Sequence, residues 1–166
     1  MIFNSSGFME IIYGEQNSKI YLGEDFLKDL QQIFSENKIV SKRILLITGQ
    51  KSFSESTHYS DLLSLVMESG LEIINHIKIH PNPLETELIE TIQDITSEQI
   101  DLVIAVGGGS VIDAAKFIKH KLAKSITILA IYTLPGSATI VTPFSVYNNH
   151  EFKTGLADEN LIRNYR

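Results

Sequence analysis

Three consecutive glycines, Gly107, Gly108 and Gly109, end the apolar run 102–106 and lead into a segment of helical spacing that starts at Ser110. Residues without a Cβ permit a sharp turn and a close approach of backbone to ligand. A helix beginning there aims its free N–H groups and the positive end of its dipole at the same point, which suits a phosphate or pyrophosphate. Ser110 is of a type that caps helices, and Asp113 stands three residues on, at the capping-box spacing. The chemistry on offer is anion binding by backbone donors. The plainer alternative is a tight turn with a capped helix. Because the spacing is not Gly-x-Gly-x-x-Gly, the strand-to-helix context carries the reading.

Such a turn must be held by a sheet, and the rest of the chain supplies one. Residues 43–48 (RILLIT), 71–79, 102–106 and 127–132 are rich in Ile, Leu and Val and read as buried strands. Between them lie amphipathic stretches. Phe26, Leu27, Leu30 and Ile33 recur at helical spacing within 24–34, and Tyr59, Leu62, Leu63, Val66 and Met67 mark a second helix closed by Gly70 at C′. After Pro81-Asn82-Pro83, Leu88, Ile89, Ile92 and Ile95 give a third helix over 84–96; Val111, Ile112, Ala114, Ala115 and Ile118 give a fourth. Residues 8–13 and 19–22 form an opening hairpin around the polar turn 14–18, and short extended pieces follow near 144–147 and 152–154. The alternation predicts a doubly wound, Rossmann-like α/β fold: a parallel sheet with helices on both faces and right-handed crossovers. We expect one domain over 1–166, with a hairpin at 8–22, a core at 24–135 and extended pieces at 140–155. Ligands of such sheets bind beyond the carboxyl ends of the strands.

Gly107-Gly108-Gly109-Ser110-Val111-Ile112-Asp113-Ala114-Ala115-Lys116 resembles the signature of the iron-containing (group III) alcohol dehydrogenases. Pro81-Asn82-Pro83 before a helix and Val141-Thr142-Pro143-Phe144-Ser145-Val146 after the last strand add to the resemblance, which runs from about Phe8 to Asp158. It implies an N-terminal nucleotide-binding domain and a nicotinamide cofactor. By resemblance, the turn at Gly107 and the backbone of Gly108, Gly109 and Ser110 would hold the pyrophosphate, with Asp113 in the same motif. Thr133, Leu134 and Ser137 would line the adenine and phosphate side. Thr142 and Phe144 would approach the ribose and nicotinamide, with Asn82 and Lys153 nearby. Plainer roles stay open: Asn82 as a turn former, Phe144 as core, Lys153 as a solvated cation.

Two departures from the family pattern stand out. The family loop Pro-Thr-Thr-Ala-Gly-Thr-Gly-Ser-Glu reads Tyr132-Thr133-Leu134-Pro135-Gly136-Ser137-Ala138-Thr139-Ile140 here, which is bulkier and less polar. Many NAD-using members carry Asp just after the strand matching 43–48, where this chain has Gly49 followed by Gln50, Lys51 and Ser52. With no carboxylate to repel a 2′-phosphate and one cation beside it, we expect NADP to be accepted and preferred over NAD, unless Lys51 only faces water.

In the family an Asp and usually three His of a C-terminal all-helical domain hold Fe²⁺ or Zn²⁺, which polarises the substrate alcohol or aldehyde. That domain and its ligands are absent from this sequence, so Fe or Zn is expected only in a complete enzyme and the chain alone is expected to be inactive. His58, His76, His80, His120 and His150 are scattered. His76 and His80 sit four apart on a strand, ~13 Å along one face, too far to chelate one ion. We assign no metal site and no catalytic residue. His120 is expected to meet its helix dipole and water, and Glu85, Glu87, Glu90 and Asp94 a solvated helix face.

Composition narrows the field further. The 166 residues carry 14 Lys and Arg against 20 Asp and Glu, a net charge of −6, with 43% apolar residues and no Cys. A core can form, while the acidic balance argues against nucleic acid or anionic membrane as partner. Zero Cys removes disulfides and thiolate chemistry and fits the cytoplasm. No stretch reads as a signal peptide or a membrane span. The leading expectation is the NAD(P)-binding part of an alcohol dehydrogenase-like enzyme, with small alcohols or aldehydes as substrates of the whole. A homodimer is left open by the resemblance. The alternatives are a stand-alone nucleotide-binding or assembly module without catalysis and, third, a dehydroquinate synthase-like lyase domain.

Overall fold

The computed structural model of the protein describes residues 2–3, 9–13, 18–22, 25–36, 38–39, 42–122, 126–133, 138–150 and 152–158. The opening strands β1 (Ile2–Phe3), β2 (Met9–Tyr13) and β3 (Ser18–Leu22) form an antiparallel sheet in the order β1-β2-β3. The predicted hairpin is present, with β1 as an added strand.

Helix α1 (Phe26–Glu36) precedes β4 (Arg43–Gly49), α2 (Thr57–Glu68) follows it, and β5 (Glu72–Ile79) comes next. Then come α3 (Glu85–Ile95), β6 (Leu102–Gly107), α4 (Gly109–Leu122) and β7 (Thr127–Tyr132). The four strands pair in parallel in the order β5-β4-β6-β7. The chain winds outward from β4 to β5 and then, in the other direction, from β6 to β7. The reversal places a topological switch point between β4 and β6, where a crevice opens beyond their carboxyl ends.

The central strands read as apolar runs because both their faces are covered. Ile44, Leu46, Leu102, Ile104 and Val106 pack with Leu30 and Phe34 of α1 and Leu62, Leu65 and Val66 of α2. On the other face Leu45, Ile47, Val103 and Ala105 pack with Leu88 and Ile95 of α3 and Val111, Ala114, Ala115, Phe117 and Ile118 of α4. Each such fully buried aliphatic side chain contributes roughly 1.5–3 kcal/mol. Helix α2 ends as expected at Gly70, whose φ of 70° lies in the left-handed region.

A short 3₁₀ turn (Ala138–Val141) leads to an antiparallel hairpin of β8 (Phe144–Asn149) and β9 (Phe152–Ala157), longer than the extended pieces read from sequence. The hairpin lies against α4 and α3: Tyr147 meets the ring of Phe117 edge-on at 4.7 Å, and Leu156 packs on the same core. Among the described residues, no helix is long and apolar enough to cross a membrane.

Candidate functional site

Strand β6 stops at Gly107 and α4 starts two residues later. A Cβ on Gly107 would lie 2.6 Å from Cγ2 of Val111, so the absent side chain lets the first turn of α4 close over the strand end. Among the described glycines only Gly70 has positive φ, so the triplet is used here for close packing and not for a left-handed turn. Gly108 occupies the cap position, its carbonyl accepting from the N–H groups of Val111 at 3.1 Å and Ile112 at 3.3 Å. The N–H groups of Gly109 and Ser110 are thereby left as orphan donors of the first turn.

Two sequence expectations are corrected at this helix start. Ser110 lies inside the helix, and its Oγ accepts the N–H of Asn82 at 3.2 Å instead of capping. Asp113 completes no capping box. It is 9% exposed and turned into the protein, where its carboxylate accepts from the Thr139 hydroxyl and the Val146 N–H. The capping function fails because the cap position was already filled by Gly108 and the carboxylate had a tertiary partner. Burial pushes the Asp113 carboxyl up from its ordinary range, against the pull of Thr139, Lys116, Val146 and Lys153.

Gly49, Thr133 and Asn82 lie around the same end of the sheet. Gly49 ends β4, and a Cβ there would sit 4.0 Å from Val111 Cγ2 and 3.9 Å from Ser52 Oγ, an ordinary contact distance. Thr133 follows β7 and donates its N–H to the Gly107 carbonyl at 3.1 Å. Asn82 takes φ of 52° between two prolines, and its carbonyl accepts from Asn148 Nδ2 at 3.1 Å. It is therefore a turn former that also fastens the Pro-Asn-Pro loop to α4 and β8. Lys51 is exposed, its carbonyl accepting from the Glu55 N–H. Phe144 is 53% exposed and so is not core. Lys153 is exposed on β9 opposite Asn148 and reaches the others through its charge on Asp113. Leu134 and Ser137 lie outside the described residues.

This strand, glycine turn and helix at a switch point, with Pro81-Asn82-Pro83 bonded to its first turn, agrees with the comparison with known proteins. A model of the iron-containing alcohol dehydrogenases matches residues 17–164. The chain belongs to the iron-containing alcohol dehydrogenase family. It is 29% identical over 163 residues to an NADPH-dependent butanol dehydrogenase of Clostridium saccharobutylicum, covering 86% of this chain and 40% of that protein. It is 25% identical over 162 residues to NADH-dependent butanol dehydrogenase A of Clostridium acetobutylicum, covering 87% and 41%. The crystal structure of NADH-dependent butanol dehydrogenase A from Thermotoga maritima has a TM-score of 0.75 at 21% identity, over 93% of this chain and 43% of its own. At that identity the likeness shows the fold. The chain spans about two-fifths of the length of these relatives.

Within this family member, the residue that sequence reading passed over is Lys116, the last of the signature. It is 3% exposed, and its Nζ donates to the carbonyls of Thr139, Thr142 at 2.7 Å and Phe144 at 3.0 Å. Burial pushes its pKa down to about 8, with Asp113 pulling the other way. Ser145 adds a hydroxyl bond to the Asp113 carbonyl at 2.7 Å. Helix α4 thus carries a clamp, Asp113 and Lys116, that fixes the segment bearing Thr142 and Phe144. The available signal was an acid and a base at i and i+3 within 111–118, a helical stretch otherwise apolar all round and therefore buried. His120 also has a closer partner than solvent, Asp158 at 2.7 Å.

Proposed function

We propose that this chain is the nicotinamide-dinucleotide-binding part of an alcohol dehydrogenase-type oxidoreductase. The observation that carries the reading is the pair of orphan N–H groups of Gly109 and Ser110 at the β4/β6 switch point. Anions are held by such donors and by the helix dipole without any cationic side chain. The pyrophosphate would lie on Gly108, Gly109 and Ser110 beside Gly107. The adenosine would extend past Gly49 and Lys51, with Thr133, Leu134 and Ser137 on its side, and the nicotinamide would lie toward Thr142, Phe144, Asn82 and Lys153.

When bound, the cofactor supplies hydride exchange at C4 of its nicotinamide with a small alcohol or aldehyde; the residues of this chain bind and orient it. Lys116 and Asp113 would act on it only through the segment they hold. Gly49 presents no carboxylate to a 2′-phosphate, so NADP would be accepted and favoured over NAD. Among the described residues, no three His, Asp or Glu converge on a common point. The family assignment favours dehydrogenase over dehydroquinate synthase-like chemistry.

Calorimetric titration of the chain with NADP⁺ and NAD⁺, repeated on Gly109→Val, tests the reading. Saturable binding to the parent and loss of about tenfold or more in the variant are expected. Equal binding by both proteins would show that the pyrophosphate does not rest on this turn.

A further inference from the structure

His76, in the middle of β5, touches nothing assigned above, yet both of its ring nitrogens are engaged. Its Nε2 lies 2.9 Å from Thr48 Oγ1 and its Nδ1 lies 3.1 Å from the Tyr59 hydroxyl, with the two rings stacked at 5.4 Å. Thr48 is fully buried and is the last residue of β4 before Gly49; Tyr59 lies in the first turn of α2. One imidazole therefore bridges the two residues that flank the turn 49–58.

The turn has its own internal bonds, and Phe53 anchors it in the core beneath α1 and α2. The Glu55 N–H donates to the Lys51 carbonyl and the Ser56 N–H to that of Phe53, while the Ser54 hydroxyl donates toward the Gln50 and Lys51 carbonyls. Gln50 Nε2 donates to the Lys78 carbonyl, and Phe53 meets Tyr59 edge-on at 5.9 Å. Phe53 thus returns the turn to the same Tyr59 that His76 holds. On its other side, Gly49 abuts Val111 of α4.

Thr48 Oγ1 lies 3.0 Å from the Gly49 carbonyl and 2.9 Å from His76 Nε2, so its hydroxyl can donate to either. A neutral ring donates through one nitrogen and accepts through the other, and the Thr48 and Tyr59 hydroxyls can each take the complementary role. The imidazolium has donors only, so both hydroxyls would have to turn and accept. Burial and, after it, the charge of Lys78 on the same strand both hold the ring below the ordinary histidine range.

We propose that His76 is a positioning residue, a staple between β4 and α2 that fixes the turn 49–58 and thereby sets how well its Gly49–Ser52 end grips the adenosine half of a dinucleotide. The ligand half of this statement rests on the cofactor reading above; the staple itself does not.

ADP-ribose is a suitable probe, because it carries adenosine and pyrophosphate and has no group titrating near pH 6. Its affinity is measured from about pH 5 to 8 on the parent, His76→Phe, His76→Gln and Tyr59→Phe, with amide exchange of Glu55, Ser56 and Tyr59 followed on each protein. The parent is expected to keep its affinity through the ordinary histidine range, where burial holds the ring neutral, and to lose it only at lower pH, as the ring takes up a second proton. His76→Phe, which keeps an aromatic ring but no donor or acceptor, is expected to bind about tenfold more weakly with no such pH step. His76→Gln, which offers both a donor and an acceptor, is expected to recover part of the affinity without the pH step. Tyr59→Phe removes one hydroxyl and guards against loss of the fold. If the parent binds and all variants match it in affinity and pH profile, the staple is wrong while the cofactor reading stands. If the parent binds no ADP-ribose, the cofactor reading fails and exchange alone decides. Faster exchange of the three amides in His76→Phe and Tyr59→Phe then upholds the staple, and unchanged exchange overturns it.

Discussion

Replacing Lys116 by Met is the sharpest test of the clamp on α4. Met fills nearly the same volume, so the cavity contribution is small and the loss reports the ammonium. Three charge-assisted bonds, to the carbonyls of Thr139, Thr142 and Phe144, disappear together. At roughly 1.5–3 kcal/mol each they bound the loss at about 9 kcal/mol. Releasing a buried cation from its desolvation penalty offsets several kcal/mol of that. The expected net loss is about 3–5 kcal/mol, a large part of the roughly 5–15 kcal/mol that a domain of this size has in total. Urea unfolding followed by circular dichroism measures it directly, provided the slope m is unchanged.

A double-mutant cycle separates the pair from its surroundings. In the parent, Asp113→Asn removes a carboxylate that faces Lys116; in Lys116→Met it removes a buried charge left with only the exposed Lys153 acting on it. The second change should therefore cost at least about 1 kcal/mol less than the first, or stabilise outright. Faster amide exchange at Val146, whose N–H bonds the Asp113 carboxylate, should accompany Lys116→Met. A loss below about 1 kcal/mol for Lys116→Met, with additive behaviour in the cycle, would falsify the clamp.

Three further outcomes follow from the same geometry. Gly107→Ala forces a Cβ to 2.6 Å from Val111 Cγ2 and should destabilise by about 1–3 kcal/mol, while Val111→Ala in the same chain should return part of the loss; thermal melts of the three proteins decide it. Gly49→Asp meets only ordinary contacts at 3.9 and 4.0 Å, so the fold should survive while NADP⁺ affinity drops about tenfold or more relative to NAD⁺, as titration with each would register. Lys116, with its pKa pushed from 10.5 to about 8, holds fewer protons when folded than unfolded between those values; stability should rise from about pH 8 to 10.5 and level off outside that window, which chemical denaturation at stepped pH would reveal.

The fold was legible where burial and periodicity agree. Ile44 to Ile47 and Leu102 to Val106 are buried on both faces, so their composition marks them as central strands, and the ends of these two strands fell within a residue of the reading. Gly70 marked its helix end because only a residue without Cβ sits comfortably at φ of 70°. At the site, the glycine turn and Pro81-Asn82-Pro83 were legible as local motifs, while the polar groups tying them down were not. Asp113 was misread because the capping-box rule is local and its actual partner, Thr139, is 26 residues away. His76 drew notice for its spacing to His80, whereas its partners Thr48 and Tyr59 are 28 and 17 residues off and meet it only once β4, β5 and α2 have packed.

That contrast bears on how an acidic chain would hold the proposed anion. The cation nearest the motif, Lys116, is buried and committed to three carbonyls, so it contributes position and little field. The donors left facing the crevice are the backbone N–H groups of Gly109 and Ser110, whose strength does not depend on net charge. The walls beside them are held by two attachments made through side chains. Lys116 and Asp113 hold the wall that carries Thr142 and Phe144, and His76 holds the turn that carries Gly49 and Lys51. On the proposed reading, side chains fix the geometry and the backbone would do the binding; substitutions at Lys116 or His76 should therefore act on affinity through the shape of the site and not through its charge.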